Sequence, residues 1–338
     1  MPTAHRVVRH PTELDLNAAL SVVQRHLWPT PLVPSPALGR NAWLKLETLQ
    51  PSGAFKVRGA VAALSALAAE GTRHVVTASA GNHALGVAWA AERLGVAATV
   101  VVAKTSSPAK RAALARLPVE LVVKGETYDA AEAHGIALAE ARGAVYLSPY
   151  NDPYVIAGQA TVGSEMWAQL GDRDVDQNVP LTILAGAGGG GLLAGLGLWA
   201  SRQLPARSLR IIGVEAEQSR AMSAAVAAGR TVPVPVGETL ADGLAGNLEP
   251  GSITVALVRQ HVAEIVAVSE VEIEDAMRLL AREHGFIVEG AGAAGAAALV
   301  AGRVAVEEGM TIAILTGRNI ALDRYAAVVT QPDHTRAL

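Results

Sequence analysis

The sequence predicts an α/β protein built from open, doubly wound sheets, and three observations predict it. Short β-rich apolar runs alternate with longer Ala- and Leu-rich stretches of helical period. Several of the runs are apolar almost throughout, as strands covered by helices on both faces of a parallel sheet are. With 338 residues, 51% of them hydrophobic and 17% charged, the chain can bury a sizeable core and is not disordered.

In chain order, Thr12-Glu13-Leu14-Asp15 resembles a capping box and opens an N-terminal helix. The run Ala42–Glu47 leads to a helix over Lys56–Glu70, His74–Ala78 to Asn82–Leu94, and Ala97–Ala103 to Pro108–Arg116. Val119–Val123 leads to Asp129–Arg142 and Val145–Leu147 to Ile156–Leu170. Beyond these, Leu181–Ala185 precedes Leu192–Gln203, Leu209–Val214 precedes Ser219–Ala228, and Glu264–Val268 precedes Glu270–His284. A helix over Ala293–Glu308 and a strand over Thr311–Leu315 close the pattern. No internal repeat or low-complexity linker interrupts it.

Several function classes drop out. A net charge of −3 with no basic stripe gives nucleic acid nothing to hold. The absence of cysteine removes a disulfide framework, a thiolate nucleophile and a Cys-ligated metal. Met1 to His10 has no apolar run of signal-peptide kind. The most apolar stretches, Val87–Ala103 and Gly285–Gly302, are broken by Glu92 and Arg93 or by Glu289 and several glycines, so they read as buried elements, not membrane spans. A soluble cytoplasmic protein, with no membrane partner, is the expectation.

Parallel sheets bind ligands where strand C-termini feed loops and helix N-termini, so those loops are where chemistry is sought. In Ser52-Gly53-Ala54-Phe55-Lys56 a lysine stands at a helix start, where the macrodipole prefers anions. Such a lysine either points to solvent or, desolvated in a cleft, serves as Schiff-base nucleophile and general base. Ser79-Ala80-Gly81-Asn82-His83 joins a strand to a helix with small residues; it is either an ordinary capped turn or a carboxylate or phosphate site, and His83 either packs or acts. Four consecutive glycines in Gly186-Ala187-Gly188-Gly189-Gly190-Gly191 cost roughly 0.5–1 kcal/mol each relative to alanine, which a close backbone approach to a phosphate would justify. Thr316, in Leu315-Thr316-Gly317-Arg318-Asn319, is either a helix N-cap or a ligand contact. The third loop also fits G-x-G-x-x-G, with Glu215 where a ribose-binding acid belongs, so an NAD(P)-dependent oxidoreductase competes. That reading leaves the lysine loop and Ser79–His83 without roles.

Together the loops resemble the fold-type II pyridoxal 5′-phosphate (PLP) enzymes, in particular their serine/threonine dehydratase and serine racemase branch. The ordered motifs run from Thr30-Pro31-Leu32 through Lys45-Leu46-Glu47, Ser52–Ala60, Ser79–Ala84, Asp152-Pro153 and Ile156-Ala157-Gly158-Gln159. They continue with the tetraglycine Gly188–Gly191, Thr239-Leu240-Ala241-Asp242-Gly243 and Leu315–Asn319. The resemblance implies a tryptophan synthase β-like fold: a small domain at 73–150, a large one at 1–72 plus 151–338, and PLP in the cleft between them. It implies a homodimer acting on a small amino acid. Lys56 would carry PLP as a Schiff base and act as catalytic base, with Phe55 against the ring and Asn82 on its hydroxyl. Gly188, Gly189, Gly190 and Gly191 would hold the phosphate, and Thr316 would sit at the pyridine nitrogen. The backbone of Ser79, Ala80, Gly81, Asn82 and His83 would grip the substrate carboxylate.

A neutral hydroxyl at the ring nitrogen makes a weaker electron sink than an acid would, which suits β-elimination of a small β-hydroxy amino acid such as L-threonine or L-serine. The products would be a 2-oxo acid and ammonia, an amino-acid catabolism lyase. An amino-acid racemase or a 3-hydroxyaspartate dehydratase of the same family is the nearer alternative. Three departures narrow the choice. Ala80 stands where the racemases place a second serine. The branch's divalent-cation site would use Glu215 and an acid six residues on, but that position is Ala221, so no metal is expected, although Glu217 lies nearby. Arg318 replaces a small residue and either meets a second anionic group of the substrate or pairs at the surface. The chain runs to Leu338 soon after the last motif, so feedback through a C-terminal regulatory domain is not expected.

Overall fold

The computed structural model describes residues 8–173, 179–204, 209–304 and 309–332. Helix α1 (Glu13–His26) precedes strands β1 (Leu32–Pro34) and β2 (Ala42–Leu46). Then follow α2 (Lys56–Ala69), β3 (His74–Ala78), α3 (Asn82–Leu94), β4 (Ala97–Val102), α4 (Pro108–Leu114), β5 (Glu120–Val123), α5 (Tyr128–Arg142), β6 (Val145–Tyr146) and α6 (Pro153–Gly171). The second half holds β7 (Leu181–Gly186), α7 (Gly191–Gln203), β8 (Leu209–Ala216), α8 (Ala221–Ala228), α9 (Ile253–His261) and β9 (Glu264–Val268). It ends with α10 (Glu270–His284), α11 (Gly290–Val300), β10 (Met310–Leu315) and α12 (Leu322–Val329).

Every predicted strand is present, and the capping box at Thr12 and Asp15 forms on α1. Three elements were not predicted. β1 is too short to show a period and ends at Pro34 on the sheet edge. α9 is rich in β-branched residues, and buries Val255, Leu257 and Val258, so packing overrides propensity there. α12 spans only eight residues, about two turns, too few to show a helical period in the sequence. The helix predicted over Ala293–Glu308 starts earlier, at Gly290, and ends at Val300, where the chain turns through Gly302 at φ 64°. Positions 305–308 lie outside the described residues. The early start escapes propensity because it is glycine-rich, and the glycines are sterically required. A Cβ at Gly290 would overlap the Leu240 carbonyl, and one at Gly292 the Gly317 carbonyl.

By compactness the chain divides into two units. One takes the described residues up to Trp28 with Phe55–Gln159; the other takes Pro29–Ala54 with the chain from Ala160. The first is built on a four-stranded parallel sheet in the order β5-β4-β3-β6. Val57, Val61 and Leu64 of α2 pack with Val87 and Ala91 of α3 and with Val75 and Leu147. Ala131 and Ala139 of α5 pack with Val76 and Val101 in a second layer, so adjacent strand residues serve opposite faces. The sheet falls inside the span 73–150 expected for a small domain. Its compact unit also takes in α1, α2 and the start of α6, because α2 packs on α3 and α1 on α2.

The second unit carries a six-stranded sheet in the order β1-β2-β10-β7-β8-β9, parallel except for the antiparallel edge strand β1. Ile212 and Val214 join Leu184, Leu315 and the inner faces of α10 and α11 in one core layer. Gly213, between them in sequence, faces Leu193 of α7. That sheet too is wound on both faces.

Each sheet has a switch point, where successive strands stop being added on one side and the chain returns to the other. From β3 the chain adds β4 and β5 outward, then returns to place β6 on the free side of β3. From β7 it adds β8 and β9, then returns to place β10 beside β7. The loops at the carboxyl ends of those strand pairs diverge and leave a crevice, the standard ligand position of open α/β sheets.

Candidate functional site

Two of the four singled-out segments meet at the first switch point. Ser79–Gly81 leaves β3, half-buried, and Asn82 opens α3. The Gly81 N–H donates to Ser79 Oγ at 3.2 Å, which closes the turn. Lys56 is the first residue of α2, and its Nζ donates to the Pro149 carbonyl, 2.8 Å away in the segment after β6. The Phe55 ring centroid lies 5.2 Å from the same Nζ. The start of α2 is gripped closely. A Cβ on Gly86 of α3 would come within 3.0 Å of Val57 N and 3.1 Å of the Lys56 carbonyl carbon, and one on Gly158 of α6 within 2.5 Å of the Arg58 carbonyl oxygen.

His83 is 2% exposed, so its packing is real. Burial and the Lys56 charge push its pKa from 6.5 down to about 3, with the Leu147 backbone pulling the other way. It is therefore a neutral imidazole beside a cationic amine. A cationic His83 would have repelled the lysine.

The second switch point holds the other two segments. Gly186–Gly191 leaves β7 and enters α7, with Gly190 left-handed at φ 81°. The Thr254 hydroxyl donates to the Gly189 carbonyl at 2.8 Å and anchors the loop. A Cβ on Gly188 would come within 3.2 Å of Leu244 Cα, and one on Gly190 within 2.5 Å of Met222 Cε. The left-handed backbone at Gly190 favours glycine there, and the first N–H groups of a thirteen-residue helix have no intrahelical acceptors. Across from it, Thr316 follows β10, buried, and its hydroxyl donates to the Ala291 carbonyl at 3.4 Å. No helix begins at Thr316; α12 starts at Leu322, which removes the N-cap reading.

One competing sequence reading is answered by geometry. Glu215 is buried in β8 and its Oε1 accepts from Met222 N at 2.7 Å and Ser223 N at 3.1 Å. The carboxylate caps the first turn of α8, and so is turned away from the role of a ribose acid. Burial pushes its pKa up, against the lowering effect of the Ser223 and Met222 bonds. Arg318 is exposed, and its backbone N–H donates to the Gly53 carbonyl at 2.9 Å.

The donor set fits PLP on its own chemistry. A half-buried amine is held by a backbone carbonyl, a glycine loop with Gly190 left-handed opens a helix, and a buried neutral hydroxyl stands at the end of the strand beside that loop. Comparison with known proteins decides the cofactor. A family profile described as pyridoxal-phosphate dependent enzyme matches residues 23–317. The chain belongs to that family. Within it, the L-threonine ammonia-lyase of Geobacter sulfurreducens is 40% identical over 87% of this chain and 71% of its own. A solved threonine deaminase from T.th. is 36% identical with a TM-score of 0.81, covering 92% of this chain and 99% of its own. Maize serine racemase is 29% identical with a TM-score of 0.84, covering 94% and 96%. Family membership selects PLP over a nicotinamide, and the protein is a PLP-dependent enzyme of α/β fold. Among the described residues no helix is long and apolar enough to cross a membrane.

Sequence reasoning gave no structural role to four participants. Pro149 offers a carbonyl, which no side-chain pattern reveals. Glu289 is buried, N-caps α11, and its backbone N–H donates to the Gly317 carbonyl at 3.1 Å beside Thr316. Its signal was present: a carboxylate inside an apolar run, immediately before Gly290. Gly86 and Gly158 act through close approach and read in sequence as helix-weakening residues.

Proposed function

We propose that this protein is an ammonia-lyase that converts L-threonine or L-serine to the 2-oxo acid and ammonia by β-elimination. The observation that carries the reading is the Lys56 amine at the first switch point, tethered to Pro149 O beside a neutral His83 of α3, with alanine at position 80 in the turn that leads into α3. The 40% identity to an L-threonine ammonia-lyase supports it.

Bound PLP supplies an electron sink conjugated with the substrate nitrogen, which acidifies the α C–H. In our reading Lys56 holds PLP, then removes the α-proton as general base. The N–H groups of Ser79, Ala80, Gly81, Asn82 and His83 would orient the substrate carboxylate, and Asn82 would also bond the ring hydroxyl. Gly188, Gly189, Gly190 and Gly191 would hold the phosphate, Phe55 would pack on the ring, and Thr316 would meet the ring nitrogen without charging it. Ala80 has no titratable group, so no second base serves the opposite face of the substrate. That favours elimination over racemisation, despite the fold shared with maize serine racemase. We also propose the functional domain division at 73–150 against 1–72 plus 151–338, a homodimer, and a cytoplasmic location.

Purified protein with PLP is expected to show a band near the visible edge that Lys56→Ala abolishes, and to release 2-oxo acid from L-threonine or L-serine. Release of D-isomer without 2-oxo acid defeats the lyase reading. A wild-type spectrum in Lys56→Ala defeats the assignment of the lysine. Turnover of 3-hydroxyaspartate in preference to both would bring Arg318 into the substrate site.

A further inference from the structure

The motif residues Gly317, Arg318 and Asn319 take no part in the reading above, yet they hold the chain that leads into Lys56. Ala54 forms an isolated antiparallel bridge with Gly317. The Arg318 N–H donates to the Gly53 carbonyl at 2.9 Å. Asn319 Nδ2 donates to the Ser52 carbonyl at 2.8 Å. Three consecutive residues after Thr316 thus hold the three residues before Phe55. Gly53 is left-handed at φ 76°, and a Cβ there would overlap Asn319 Oδ1 and come within 3.1 Å of its Cγ. The amide of Asn319 therefore both donates to Ser52 and lies flat against Gly53.

We propose that Asn319 is a positioning residue for Lys56, fixing the Ser52–Ala54 backbone from which α2 starts two residues later. The inference rests on the reading of Lys56 as the PLP-holding base. Its physical ground is that α2 cannot anchor its own start. Phe55 occupies the N-cap and makes no side-chain cap hydrogen bond. Where Nζ can reach depends on where the Lys56 Cα begins, which the close packing of α2 on Gly86 and Gly158 and the Ser52–Ala54 backbone upstream fix together. Backbone bonds at positions 317 and 318 are open to any residue type. The bond to Ser52 needs the amide donor of Asn319, and an aspartate there would set a second acceptor against the carbonyl.

The test uses the full chain, as holoenzyme and stripped of PLP. In Asn319→Asp, kcat for L-threonine should fall roughly 10- to 100-fold with KM within about threefold, as a misplaced catalytic group gives. Capture of added PLP by Lys56, read after a borohydride quench as the reduced lysine adduct by peptide mass, should slow by a comparable factor. Gly53→Ala should reproduce the loss, because the added Cβ displaces the Asn319 amide, and combining it with Asn319→Ala should recover nothing, because the donor to Ser52 is then gone as well. Tyr325→Phe removes another side chain–backbone bond, from Tyr325 Oη to the Phe286 carbonyl at 3.0 Å. It should lower thermal stability while kcat and the capture rate stay at wild-type values. Wild-type kcat and capture in Asn319→Asp would overturn the proposal, as would a loss confined to thermal stability. If Asn319→Asp does not fold, Gly53→Ala and its double variant decide the matter by the same two rates. Lys56→Ala separates the two readings. An active Lys56→Ala defeats the lysine assignment, whereas an inactive one beside a wild-type Asn319→Asp defeats only the role of Asn319.

Discussion

The two sheets furnish their switch points with opposite materials. Between the ends of β3 and β6 stand side chains that can hold or move a proton: the Lys56 amine on Pro149 O, and His83, driven neutral by burial and by that amine. Between the ends of β7 and β10 stand backbone and neutral hydroxyls, namely the Gly186–Gly191 loop, Thr254 on Gly189 O and Thr316 on Ala291 O. The division matches the work proposed for each. An anion that never changes charge is best met by fixed dipoles at a helix N-terminus. A proton in transit needs a group whose charge can change.

Replacing Lys56 should produce the largest split. Lys56→Ala is expected to lower kcat by about 10⁴-fold or more, the upper range for losing a general base that is also the nucleophile. Equilibrium dialysis should still find PLP bound, held by the glycine loop. Loss of all PLP binding in that variant would break the division of labour between the crevices. Gly190→Ala probes the other side. Its φ of 81° and the 2.5 Å approach to Met222 Cε force the loop to move. PLP affinity should weaken roughly 10- to 100-fold, about 1.4–2.8 kcal/mol, with kcat at saturating PLP nearly unchanged. A fall in kcat alone would assign the loop to chemistry and not to binding.

Acid should act on the first crevice through His83. Its pKa in the folded chain, about 3, lies below the ordinary 6.5, so the unfolded chain binds more protons between those values. The stability that comes from a neutral His83 is therefore complete above pH 6.5 and is lost progressively as pH falls toward 3. Thermal melts of His83→Asn should show a shallower loss across that window than wild type; an unchanged slope would show that His83 titrates normally. The smallest effect expected is from Ala80→Ser. It places a hydroxyl where the nearer alternative needs one, and D-serine should appear from L-serine at roughly a few per cent of the elimination rate, a difference of about 2 kcal/mol in barrier.

Much of this was legible in the chain before any coordinates. The strand and helix alternation, the tetraglycine and the lysine at a helix start are local patterns, written in propensity and spacing. α3 and α10 even keep their predicted ends, because Gly95 and Gly285 cap them in the left-handed region. The less legible parts share a cause. Pro149 contributes a carbonyl, Gly86 contributes the absence of a side chain, and Glu289 gains its place from the turn onto Gly317. α9, with its strand-like composition, becomes a helix because its apolar residues find a buried face.

By itself the sequence determined the fold class, the cofactor family and the residues that carry charge, since these depend on residue type and near-neighbour spacing. Tertiary structure alone decided that Ser79–His83 joins Lys56 at one switch point and that the glycine loop joins Thr316 at the other. It alone set Asn319 against Gly53. Those are contacts across long stretches of chain, fixed by strand order and close packing, and no local pattern encodes them.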